Sequence, residues 1–111
     1  MDGPETKVKI RRKFSHWIPR LLKVRGIALY PFILFAQDKE QVRDNPRLYK
    51  HEWIHIEQWR RGVVKFAITY LWYQATKGYD NNPYEIEAFD RQGEQFTDEE
   101  RVAWVEDFGN V

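Results

Sequence analysis

Apolar and polar positions keep two different rhythms along this chain, and the change falls near residue 44. Before it, residues 7–14 (KVKIRRKF) alternate weakly, as a strand does. Residues 26–36 (GIALYPFILFA) form a short run rich in Ile, Leu, Tyr and Phe. Pro31 inside that run marks a turn, a bulge or an edge, because proline cannot donate to a sheet ladder. Leu21 to Arg25 fits a strand or a helical turn equally well. These segments predict a small antiparallel sheet.

After residue 44 the period lengthens to that of a helix. Asp44-Asn45-Pro46 supplies a capping side chain followed by proline in the first turn, and the helix it opens should run to about Arg61 and stop at Gly62. A second helix runs from Val63 to Lys77 and ends at Gly78. Asn81-Asn82-Pro83 starts a third, lasting to about Gly93 or Phe96, and the capping box Thr97-x-x-Glu100 starts a short last one ending near Gly109. The expected fold class is α+β, with a small antiparallel sheet followed by about four helices. The 111 residues suit one domain, with 1–6 as a loose tail and 97–111 as a C-terminal helical extension.

The second helical stretch has two apolar strips, one of Val64, Ile68, Leu71 and Ala75 and one of Phe66, Tyr70 and Tyr73. One strip fits the core. The aromatic strip is read as the far side of a wholly internal helix, in preference to a partner or membrane contact.

Charge adds a polarity that the net value of +1 conceals. Residues 7–25 carry Lys and Arg with no acid among them, whereas residues 80–107 are dominated by Asp and Glu. The two ends are expected to neutralise each other in part. The basic end could also touch an anionic membrane surface; nucleic acid is not expected as a partner. Residues 26–36 follow the basic run and imitate the hydrophobic part of a signal peptide. The segment before them is long and Pro31 interrupts them, so they are read as structure. No stretch reaches the ~20 apolar residues of a membrane span, and a cytoplasmic location is expected.

With no cysteine in the chain, His, Asp and Glu are the only strong metal ligands it has. Two of its three histidines fall in KHEWIHIEQW, residues 50–59. On a helical wheel with His51 at zero, His55 lies near 40°, Gln58 near −20° and Glu52 near 100°, while Tyr49, Trp53 and Ile56 cluster about 140–200° away. The histidines thus share a polar stripe, separate from the apolar one. An i, i+4 pair can aim two imidazole nitrogens at one ion, with the neighbouring Glu52 placed beside the ion as a general base. A third ligand is required. His16 sits beside Trp17 in the basic run and reads as a surface residue, which leaves a carboxylate. In NNPYEIEAFDRQ, residues 81–92, Glu85 shares a face with Phe89, Gln92 and Phe96, whereas Glu87 falls on what reads as the water side. Asn82-x-x-Glu85 is equally the spacing of a capping box; its pairing with HEWIH favours Glu85 as ligand. Gln58 is either a partner that orients a ligand or a polar residue at the rim of a cleft.

HEWIH followed by a helix-borne glutamate in NPYEIEA resembles the gluzincin metallopeptidases, and the E-x-x-A context is similar to that of the membrane-linked members of the group. The short chain looks like a minimal, stand-alone form. The resemblance covers residues about 26–92. It implies a zincin-like fold, Zn2+ bound by His51, His55 and Glu85, Glu52 as catalytic base and acid, and a strand among residues 26–36 lying along the cleft as a template for a peptide or protein substrate. A late histidine or tyrosine often stabilises the oxyanion in that group; Tyr79 and Tyr84 are the candidates here. The acidic C-terminal segment is a candidate cover for the cleft. The alternative reading is a non-catalytic module, metal-containing or simply basic, docking on anionic lipid or nucleic acid.

Overall fold

The structure is a computed structural model that describes residues 8–109. The expected loose tail, residues 1–6, lies outside the described residues. In chain order the elements are β1 (Arg11–Lys13), α1 (Trp17–Leu21), β2 (Gly26–Leu29), β3 (Phe32–Phe35), α2 (Lys39–Arg43), α3 (Pro46–Arg60), α4 (Val63–Lys77), a 3₁₀ turn (Tyr79–Asn81), α5 (Pro83–Arg91) and α6 (Asp98–Phe108). This is an α+β architecture, a three-stranded sheet with six α-helices.

The sheet is mixed, which corrects the antiparallel expectation. Its order is β1-β3-β2, with β2 antiparallel to β3 and β1 parallel to β3. The connection through α1 is the cause. It carries the chain from β1 across to the far side of β3, as a parallel pair requires, while Pro31 merely turns the hairpin between β2 and β3. The ambiguous segment 21–25 is the end of that helix and the link into β2.

The four expected long helices are present, and two short ones join them. Asn45 accepts a hydrogen bond from Leu48 N with Pro46 in the first turn of α3. Thr97 and Glu100 form the reciprocal capping box of α6. α1 is started by His16, whose Nδ1 accepts from Ile18 N, so the third histidine is a cap and not a ligand. α2 has its own capping box of Asp38 and Gln41.

α3 runs through the middle. Its apolar stripe packs Tyr49, Trp53 and Ile56 among Ile33, Phe35 and Val42, all nearly inaccessible. Tyr49 stacks on Phe35 and meets Trp104 edge-on, and its hydroxyl donates to Asp107 at 2.8 Å. Burying one large aromatic removes ~150–250 Å² from water, roughly 4–6 kcal/mol at the usual area coefficient. That anchorage fixes the rotation of α3 and forces its opposite, polar stripe under α4 and α5.

α6 closes the other side. Arg12 pairs with Asp107 at 2.8 Å and Lys9 with Glu106 at 3.7 Å, so the basic and acidic ends do neutralise each other in part. Lys50 and Glu100 form a fully buried pair at 2.6 Å. Removing one partner strands a charge in the interior, so Lys50→Ala should lower unfolding free energy by about 3–5 kcal/mol, read from urea titrations. Lys50→Met together with Glu100→Gln should recover most of the loss.

α4 does not lie as expected. Phe66 and Tyr70 turn inward against Trp59 and Tyr84, while Val64, Ile68 and Leu71 are more than three-fifths exposed. The helix is therefore half-immersed, and the aliphatic strip is the outer one. No helix among the described residues is long and apolar enough to cross a membrane.

Candidate metal centre

The polar stripe of α3 is as buried as its apolar one: His51, Glu52, His55 and Gln58 are each 5% exposed or less. α5 supplies the covering carboxylate. Asn82 caps α5 by accepting from Tyr84 N, and Glu85 does not fold back onto the helix start but points across at α3. Its Oε1 lies 3.1 Å from His51 Nε2 and 3.1 Å from His55 Nε2. Among the described residues these three are the group able to hold a metal ion, with ligand atoms within 4.8 Å of one another.

The protons decide what this cluster is. Gln58 Nε2 faces two acceptors, the Tyr84 carbonyl at 3.0 Å and Glu87 Oε1 at 2.9 Å. Its Oε1 therefore accepts from His55, at 2.7 Å from Nδ1, and that places the proton of a neutral His55 on Nδ1. Likewise Gln92 Oε1 sits 3.0 Å from His51 Nδ1. Both Nε2 atoms are then bare lone pairs aimed at a carboxylate oxygen. Three acceptors converging in a buried space need a cation or added protons between them. Tetrahedral coordination at ~2.0–2.1 Å puts ligand atoms about 3.4 Å apart, close to the 3.1 Å that separates Glu85 Oε1 from each Nε2.

Without a metal, protons take that place. Burial works against charge on both groups, yet the hydrogen bonds from His51 and His55 hold the Glu85 carboxyl far below the usual carboxylate range. Burial opposes the His55 imidazolium too, but its bond to Glu85 and the nearby Glu52 raise it overall.

Several neighbours hold the cluster in place. Tyr70 donates to Glu85 Oε2 at 2.6 Å, fixing the second carboxylate oxygen. Glu87 is not on the water side as the wheel suggested. It accepts from Gln58 and pairs with Arg61 at 2.8 Å and Arg91 at 2.7 Å, and these bonds, Arg61 first, draw its pKa down to about 2. Arg91 also reaches Glu57 at 2.8 Å, which ties α5 to α3. Gln58 is thus the orienting partner. Gln58→Leu keeps its bulk but removes the acceptor from His55, and should weaken metal binding by about 10–100-fold in competition with a chromophoric chelator.

A cleft of about 280 Å³ opens onto the cluster between β2 and α4, mostly apolar, with Glu52, Tyr70 and Tyr79 in its wall. The Glu52 side chain has no hydrogen bond to another described residue. Burial pushes its pKa up and Glu85 adds to that, against the pull of His55 and His51. Gly26 makes this position available. A Cβ there would lie 3.3 Å from Glu52 Oε2 and 3.3 Å from the Phe35 ring. Of the tyrosine candidates, Tyr79 lines the cleft, while Tyr84 spends its hydroxyl on Thr69 at 2.7 Å and packs between helices. A second groove meets the same cluster from the side of Lys23, Arg25 and Arg47. Neither groove is lined by α6, which packs against Arg12 and Tyr49 instead, so the acidic segment is no cover for the cleft.

β2 is an edge strand of the sheet. The Arg25 carbonyl accepts from Ala36 N, so by the antiparallel alternation Arg25, Ile27 and Leu29 face β3 while Gly26 and Ala28 turn their backbone groups toward the cleft. Trp59 Nε1 takes the Ala28 carbonyl at 2.9 Å.

No protein-family model matches the chain, and neither does a curated protein or a solved structure.

Proposed function

We propose that this protein is a zinc-dependent peptidase of minimal gluzincin type, with a zincin-like arrangement of sheet edge, metal helix and glutamate helix. One observation carries the reading: His51 Nε2, His55 Nε2 and Glu85 Oε1 converge as three buried acceptors, with a second carboxylate, Glu52, beside them and open to a cleft. Two nitrogens and one oxygen, with no sulfur, form a borderline donor set that suits zinc. A zinc ion there supplies Lewis acidity, polarising a peptide carbonyl and lowering the pKa of a water toward neutrality.

The chain's own groups do the rest. Glu52 takes a proton from the attacking water and returns it to the leaving amine, so that one carboxylate serves as base and then acid. Tyr79, in the cleft wall, is the residue whose hydroxyl would donate to the carbonyl oxygen as charge develops. The outer edge of β2 offers the backbone of Gly26 and the Ala28 N–H to an extended peptide, the Ala28 carbonyl already accepting from Trp59, and the peptide would bind by strand addition. The apolar wall favours an uncharged side chain next to the scissile bond.

The test is elemental analysis of the dialysed protein together with hydrolysis of a fluorogenic peptide mixture. About one zinc per chain, with hydrolysis abolished by a chelator and restored by zinc, is the expected result. A chain that stays metal-free after zinc is supplied ends the reading.

A further inference from the structure

The metal cluster does not use the outer face of the molecule around the cleft, and that face is unusual. On α4, Val64, Ile68, Leu71 and Trp72 recur along one side and are 63–70% exposed. On the opposite lip, Trp17 is 65%, Leu21 70% and Leu22 53% exposed. Leu22 and Leu71 line the same cleft, so the two strips meet across its mouth. Scattered apolar residues on a surface need no explanation, but a continuous strip with two exposed tryptophans does.

The two segments that form it carry charge of one sign, with Asp80 in the turn after α4 the nearest acid in sequence. Neither residues 7–37 nor residues 63–77 contain an acid, and Lys23, Arg25, Lys65 and Lys77 enter none of the ion pairs among the described residues. Lys9 and Arg12 of the same basic segment, by contrast, are matched by Glu106 and Asp107. A second copy docked symmetrically on this face would set cation against cation. A surface of anionic headgroups would meet the cations with opposite charge and take the aliphatic side chains into its outer layer, with tryptophans at the boundary, where their amphipathic rings are favoured.

We propose that the face formed by α1 and the outer side of α4 docks on an anionic lipid surface, holding the cleft mouth against the bilayer. This does not depend on the peptidase reading, since no metal ligand takes part. The geometry is that of a protein lying on the membrane and not crossing it.

The experiment is sedimentation of the full chain with vesicles of phosphatidylcholine mixed with phosphatidylglycerol, and with phosphatidylcholine alone. Binding should need the anionic lipid and weaken at high salt. Ile68→Ser with Trp72→Ser should reduce it at least about tenfold, because two immersed side chains are lost. Lys65→Glu with Lys77→Glu should reduce it on anionic vesicles too. All four positions are exposed, and unchanged thermal melts would show that the variants fold. Absence of binding, or binding indifferent to both double variants, overturns the proposal. So does a wild type that is dimeric by light scattering, turns monomeric in Ile68→Ser with Trp72→Ser and ignores vesicles, because the face then belongs to a second copy.

Discussion

Replacing Glu52 by glutamine is expected to leave zinc in place and to lower turnover of a fluorogenic peptide by about 10²- to 10⁴-fold, the contribution of a positioned general base. Glutamine matches the shape of the side chain but cannot accept the proton. Nothing else should suffer, because the Glu52 side chain makes no hydrogen bond to another described residue and none of the three converging ligand atoms is its own. The variant should even melt at a higher temperature, since an unpaired carboxyl in a buried wall is exchanged for a neutral amide. Zinc content, kcat and melting temperature measured on one preparation check all three statements. Retained turnover would remove Glu52 from the chemistry, and lost zinc would make it a ligand.

The second large effect concerns the third ligand. Glu85→Ala should carry little zinc after dialysis and should lose the response of the melting temperature to both zinc and chelator. For the wild type, zinc at 100 times its dissociation constant adds about 2.7 kcal/mol to the folded state, or roughly 10–20 °C in a chain of this size. The variant should show neither the gain nor its removal in a differential scanning experiment. A variant that still binds one zinc tightly would assign the third position to another carboxylate, and Glu52 would be the first to examine.

That Glu85 meets His51 and His55, with Glu52 beside them, was legible in the sequence, and the reason is local. HEWIH and NPYEIEA lie on single helices whose starts are written as Asn45-Pro46 and Asn82-Pro83, so the wheel alone sorts which side chains share a face. What surrounds them was not legible. Tyr70 reaches Glu85 only because α4 lays its aromatic strip inward, and two apolar strips on one helix do not announce which of them is covered. The choice was made by hydroxyls in need of partners, Tyr70 on Glu85 and Tyr84 on Thr69, and by Tyr84 stacking on Tyr70. Gln92 and Glu87 likewise act through bonds made between helices, where a wheel of one helix has no information. The parallel placement of β1 escaped for the same reason, because it depends on where α1 carries the chain.

The bare backbone at Gly26 has one more consequence. Phe35 is fully buried, so a side chain at position 26 would press chiefly on the Glu52 carboxylate, at the far end of a longer side chain. Every ligand of the ion, and every bond that orients a ligand, lies elsewhere. On the proposed peptidase reading, one methyl group added at position 26 would therefore press on the general base and leave the metal-holding side chains alone. On that reading, the road from an enzyme to a receptor would run through a glycine, with the histidines untouched.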